Sequence, residues 1–215
     1  MVNISHLVRE FVDRQPLLQE AIIEGIVNFG ALADQLKPRI EKELSRKVKH
    51  SAVVMALHRY SETLKKPFPK KFDYRSEIII KTGICDLILV KSPELFERLK
   101  KAYDLVDYNK GDTLNIVLGN YEVSLVVSER ILASLTSLLR DVKVISIEHD
   151  LVSIALRFNE KFVTTPGVIA NITRKLSWNN VNIVEIVSTM TELSVIIHER
   201  NLTRAYKVLQ ELISG

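Results

Sequence analysis

Residues 165–172 read Thr-Pro-Gly-Val-Ile-Ala-Asn-Ile, and residues 180–188 read Asn-Val-Asn-Ile-Val-Glu-Ile-Val-Ser. The first stretch marks a helix start. Pro166 fits a first helical turn, where its missing N–H costs nothing, and Thr165 stands ahead of it as a cap. Apolar spacing then carries a helix over 166–178. The second stretch opens at Asn180 and turns β-branched, which reads as a strand over 181–187. Further strand patterns lie at 152–158 and 193–198, and a helical one at 202–212. Residues 150–215 therefore follow the order β-α-β-β-α.

The same order occurs upstream. Strand patterns lie at 85–90, 114–118, 121–127 and 142–147, and helical ones at 93–105 and 129–139. Pro93 behind Ser92 repeats the capped proline start. Gly83 and Gly119-Asn120 mark tight hairpins. Two similar halves result, roughly 84–147 and 150–215. A β-α-β-β-α-β unit packs two helices on one face of a four-stranded antiparallel sheet, the ferredoxin-like arrangement. The second half lacks a closing strand, and the first has a spare one at 77–81. Eight strands give two sheets of four if 77–81 crosses over to complete the second.

Ahead of these halves, residues 5–64 read as helical. A short helix spans 5–13. Another starts near Gln15, with Leu17, Leu18, Ala21, Ile22 and Ile26 on one stripe. Leu32, Leu36, Ile40 and Leu44 define a helix over 31–44, which Pro38 should kink or split near Leu36. The next begins with Ser51 as N-cap and carries Val53, Val54, Leu57, Tyr60 and Leu64. Residues 65–74, KKPFPKKFDY, have two prolines and four lysines and read as a linker. The expected organisation is a helical domain over 1–64, that linker, and units over 75–147 and 148–215.

With 215 residues, 47% of them hydrophobic, the chain can bury a core, so wholesale disorder is excluded. No apolar run approaches the ~18–20 residues of a membrane span. The N-terminal stretch alternates charged and apolar residues and is not a signal peptide. A single cysteine, Cys85, forms no internal disulfide, and the expected location is cytoplasmic. There is no Gly-rich phosphate loop, and the five histidines lack zinc-ligand spacing, so neither catalysis, metal nor cofactor is expected. Cys85 at a strand start reads as a small buried thiol.

The string from Thr165 to Ser188, with the Ser188-Thr189 and Thr191-Glu192 turn ahead of the next strand, resembles an ACT domain, the small amino-acid-sensing module. The order over 75–215 is similar to the tandem ACT pair at the C-terminus of aspartate kinases. The fold class implied is α+β, a helical domain followed by two ferredoxin-like ACT units with four-stranded antiparallel sheets. In that family, effectors sit between the strand–helix loop of one unit and the second strand of a neighbour. Carried over by position, the ligand-binding candidates are Thr164, Thr165, Gly167, Val168, Asn182 and Ile183, with a free amino acid as effector and a homodimer formed through ACT units. A helix N-terminus suits the carboxylate of such a ligand. The first half departs from the pattern: Ser92-Pro93-Glu94-Leu95 puts a negative charge where Gly167 stands in the second, so no conventional effector site is expected there.

The formal net charge is +4, but residues 1–75 hold 14 Lys+Arg against 9 Asp+Glu, and 76–215 hold 16 against 17. The basic excess thus lies in the helical part, which fits a helix-turn-helix-like module contacting DNA through Arg46, Lys47, Lys49, Ser51 and Arg59. The centre of the reader helix, residues 52–57, is apolar all round, which equally fits burial in a dimer. Two functions follow. One is an amino-acid-sensing transcriptional regulator without catalytic activity. The other is a stand-alone regulatory subunit that docks on an amino-acid biosynthetic enzyme such as an aspartate kinase.

Overall fold

A computed structural model describes residues 3–64, 73 and 77–214. The expected linker, 65–74, lies almost wholly outside the described residues. The chain divides into two compact units, 1–70 and 71–215.

The first unit holds four helices: α1 (Ile4–Asp13), α2 (Pro16–Ile23), α3 (Phe29–Leu44) and α4 (His50–Thr63). Their apolar stripes meet in one core, with Val8, Val12, Ala33, Ile40, Val53 and Leu57 fully buried. Each fully buried Val, Leu or Ile contributes about 1.5–3 kcal/mol. Two expectations are corrected. Helix α3 is not split at Pro38; it runs on to Leu44, because Leu36 and Ile40 on either side are anchored in the core. Ser51 is not a cap: α4 starts at His50 behind Lys49, with no side-chain cap. Within this one chain the centre of α4 is buried on one side only. Val53, Ala56, Leu57 and Tyr60 face inward, while Ser51, Met55, His58 and Arg59 are exposed. Tyr60 donates to the Asp13 carboxylate, tying α4 to α1. Burial, then that bond and the Asp13 charge, push its hydroxyl up to about 12.

The second unit is one six-stranded antiparallel sheet, not two four-stranded ones. Its strands are β1 (Glu77–Val90), β2 (Leu114–Leu118), β3 (Glu122–Ser128), β4 (Val144–Arg157), β5 (Glu185–Ser188) and β6 (Glu192–His198), in the order β2-β3-β1-β4-β6-β5. Eight runs became six strands because the breaks at residue 83 and at 148–151 are bulges, not chain reversals. Gly83 and Asp150 both take the left-handed conformation, at φ 63° and 54°. Thr82 and Gly83 stand opposite Val152, and His149 and Asp150 opposite Cys85, on either side of the Ile84–Leu151 pair. Such bulges bend and twist a strand without ending it. The crossing inferred from strand counting is present: residues 77–81 pair with 153–157. Likewise 144–148 pairs with 86–89 in the first half. Each half therefore has four strand segments beside one another, but β1 and β4 each serve both halves.

Helices α5 (Pro93–Ala102) and α6 (Leu132–Leu138) cover the first half. The second half is covered by α8 (Val168–Trp178) and α9 (Leu202–Ser214), after a short α7 (Lys161–Thr164). Alternation puts Cys85, Leu87 and Leu89 toward the first pair and Val152, Ile154 and Leu156 toward the second. Ile84, Val126, Leu151 and Ile196 point to the opposite face, yet are at most 1% exposed and form a core of their own. Val126 and Ile196 lie on strands separated by two others, and Ile84 and Leu151 on those two link them into one cluster. Asp86, Ser124, Ser153 and Ser194 are buried on that same face.

Candidate functional site

The carried-over residues fall into two groups. Thr164, Thr165, Gly167 and Val168 follow β4. Helix α8 starts at Val168, two residues later than expected, with Gly167 as N-cap at φ 84° and no side-chain cap. Thr164 and Thr165 give their hydroxyl protons to the Lys161 carbonyl, at 3.3 and 2.6 Å. They therefore do not cap the helix. Asn182 and Ile183 precede β5, which begins at Glu185, four residues later than expected; the turn out of α8 is at Asn179 and Asn180, and 181–183 lead from it to the strand. Asn182 is exposed, Ile183 half-buried.

The topology keeps the two groups apart. β6 is antiparallel to both β4 and β5, so β4 and β5 run the same way. Thr164–Val168 lie beyond the end of β4 and Asn182 ahead of the start of β5, at opposite ends of the sheet. Seven strand residues from Leu151 to Arg157 span about 20 Å. One half cannot close both groups on one small ligand.

Equivalent places in the first half are filled internally. Ser92 Oγ accepts from Leu95 N at 3.3 Å, capping α5. In the first turn of α5 sits Glu94, whose carboxylate accepts from its own backbone N–H and from the Ser92 hydroxyl; both hold its pKa low. The position matching Asn182 is Asp112, which is 5% exposed. Its carboxylate takes both Nε and Nη2 of Arg130, and it also accepts the Asp107 N–H at 2.8 Å. Burial works against this charge, but the Asp107 N–H and then Arg130 outweigh it and hold its pKa below the usual carboxylate range.

Asp112 and Arg130 were missed by sequence reading, although a signal exists. Residues 122–132, EVSLVVSERIL, align with 192–202, ELSVIIHERNL. Glu, Ser, Glu-Arg and Leu recur at the same spacing, and both Glu-Arg pairs sit in one 3₁₀ turn after the strand. Arg200 thus repeats Arg130, and Asn182 stands where Asp112 does.

A shallow groove of ≈ 250 Å³ between α8 and α9 is lined by Asn171, Arg174, Lys175, Trp178, Asn179, Val208 and Glu211; none of the six carried-over residues lines it. Cys85 is buried, with Sγ 3.7 Å from the Val127 carbonyl. Burial, then Glu129 and Asp86, push its thiol up to about 11, which disfavours the thiolate. Among the described residues no three His, Cys, Asp or Glu side chains form a metal-holding group, and no helix is long and apolar enough to cross a membrane.

In the helical unit, Arg46, Lys47 and Lys49 are exposed in the turn from α3 to α4, and Ser51 and Arg59 on the outward side of α4. Ser45, left-handed at φ 50°, ends α3, and Glu41 holds the turn by accepting Val48 N at 2.9 Å. His50 Nε2 lies 3.2 Å from both the Gly30 carbonyl and Asp34 Oδ1.

Residues 146–211 match the ACT domain family. The fold is shared with the ligand-free regulatory subunit of aspartate kinase from Thermus thermophilus, at 13% identity and TM-score 0.53, over 66% of this chain and 99% of that one. It is also similar to aspartate kinase from Synechocystis, at 16% identity and TM-score 0.55, over 85% of this chain and 37% of that one. A C-terminal regulatory domain of aspartate kinase from Porphyromonas gingivalis W83 matches at 17% identity and TM-score 0.50, over 66% of this chain and all of that one. No curated protein matches by sequence.

Proposed function

We propose that the chain is a non-catalytic, amino-acid-responsive regulatory protein. The observation that carries this reading is the ACT match over 146–211, set within a two-half sheet that covers nearly all of a detached regulatory subunit. Residues 75–147 and 148–215 act as two ACT-like units. The effector sits between Thr164, Thr165, Gly167 and Val168 of one copy and Asn182 and Ile183 of another, because those groups lie at opposite ends of one sheet. A homodimer would bring the two groups together. A thermal-shift screen of the twenty amino acids tests it: one should stabilise the chain, and Asn182→Ala should remove the shift. A flat screen counts against sensing.

The output is assigned to the helical unit. Contact with DNA is favoured by the exposed basic turn at Arg46, Lys47 and Lys49 beside Ser51 and Arg59. Affinity for duplex DNA should then fall steeply with salt, and reversing Lys47 and Lys49 to Glu should weaken binding and lower the salt slope by about two. The second reading, docking on an amino-acid biosynthetic enzyme such as an aspartate kinase, is favoured by the likeness to a separate regulatory subunit. It predicts no such affinity and an enzyme that co-purifies with the chain.

A further inference from the structure

We propose that Arg200 is a carboxylate-binding residue for the effector, and that the first half carries the same site already closed by its own aspartate. This deepens the amino-acid-sensing reading and rests on it.

The two halves repeat each other around this turn. In the first half, a guanidinium one residue into the 3₁₀ turn after β3 grips a carboxylate at the start of β2, side-on and with two N–H donors. In the second half the strands keep the same register: Leu114 stands opposite Val127, and Glu185 opposite Ile196, one residue on. The turn after β6 again carries Glu-Arg, at Glu199 and Arg200. The acid itself has become Asn182, and its neighbour Ser128 has become His198. Asn182 is isosteric with aspartate but neutral, so it offers no charge to a guanidinium and keeps an amide able to donate to a carboxylate. Arg200 is exposed. A guanidinium presented this way matches the two oxygens of a carboxylate, and a free amino acid supplies one.

The second half also differs at its helix start. The first turn of α5 carries Glu94, whereas the first turn of α8, behind Gly167, holds no acid. Both internal anions are thus missing from the same half. The Arg200 end of the sheet is the Asn182 end, since β6 finishes where β5 begins.

Two measurements on the full chain decide it. Asn182→Asp should rebuild the first-half ion pair: the unfolding midpoint should rise, and the rise should vanish in an Arg200→Ala background. A rise that survives without Arg200, or none at all, overturns the assignment. Calorimetry with the twenty amino acids is the second arm. The amino acid that binds the parent should lose about ten- to a hundredfold in affinity in Arg200→Ala, the worth of a charge-assisted hydrogen bond, and a similar amount in Asn182→Asp. Arg200→Lys, which keeps charge and fold, should recover only part of it. Unchanged affinity in Arg200→Ala overturns the carboxylate role while the sensing reading stands. A parent that binds none of the twenty overturns both.

Discussion

The two halves of the sheet share a topology, two long strands and a Glu-Arg turn, yet they differ in how they treat negative charge. The first half satisfies itself, with Glu94 at the start of α5 and Asp112 under Arg130. The second half has no acid in the first turn of α8, asparagine in place of Asp112, and Arg200 in the exposed turn. On the proposed reading, the duplicated fold separates two jobs between its halves. A site closed by an internal carboxylate adds rigidity, and a site that lacks one is available to a ligand. The ACT family match falls on the second half alone, which agrees with that division.

The largest effect should test whether the halves are separate at all. Leu125 is fully buried on β3, in the first-half core. Leu125→Ala should cost about 2–5 kcal/mol. Because β1 and β4 each belong to both halves, the loss should be felt in both. Hydrogen exchange should speed at the β6 amides as well as at β3. Protection retained in β6 would show that the halves unfold independently and break the picture of a shared sheet.

Next comes the internal ion pair. Asp112→Ala leaves Arg130 without its partner and should lower the unfolding midpoint more than Asn182→Ala, at the matching exposed position. The pH dependence has a defined sign. The folded Asp112 pKa lies below its unfolded value of about 3.9, so its contribution is present above that pH and is lost as pH falls through the folded value. Asp112→Asn should flatten that acid limb, as followed by circular dichroism.

How far these halves could be read from residues alone depended on which physics spoke locally. Periodicity found the helices and most strand runs, because 3.6 and 2 are sequence-local signals. Strand counting even placed 77–81 beside the second half. The number of strands was illegible for a specific reason: Gly83 and Asp150 look like turn residues, and a left-handed residue serves a hairpin and a bulge equally well. The start of α8 was misplaced because Thr165 bonds Lys161 instead of the helix, a choice set by α7, which no periodicity announced. Asp112 was passed over as one more loop acid; only superposing the halves shows it is held. The centre of α4 reads as apolar all round because Met55, exposed beside the buried Val53, Ala56 and Leu57, is itself apolar.

A smaller effect lies on the concealed face of the sheet. Asp86 is 3% exposed and hydrogen-bonded by Ser124 Oγ at 2.8 Å; the second-half residues in its place and that of Ser124 are Ser153 and Ser194. Burial raises the Asp86 pKa against the Ser124 bond, and Glu185 and Glu148 add to the rise. Ionisation is therefore a cost to the folded state. It is absent below about pH 3.9, grows as pH rises toward the folded pKa, and is complete above it. Asp86→Asn keeps a hydrogen-bonding amide and removes the charge. It should raise the unfolding midpoint at pH 7 by about 2–4 °C, and the gain should vanish near pH 3.5. An equal gain at both pH values would assign it to packing instead of charge.

The smallest difference between the halves is at the two bulges. Gly83 and Asp150 hold the same left-handed geometry, one with a residue suited to it and one without. A methyl added at Gly83 meets nothing within 4 Å, so Gly83→Ala pays only in backbone strain, about 1 kcal/mol. Asp150→Gly relieves strain in the folded state but frees the unfolded chain, two terms that nearly cancel, so its effect should stay within about 0.5 kcal/mol. Equilibrium urea unfolding of both variants resolves this contrast. If Gly83→Ala costs nothing, the bulge on β1 tolerates another backbone conformation, and the repeat at that point is one of sequence position and not of geometry.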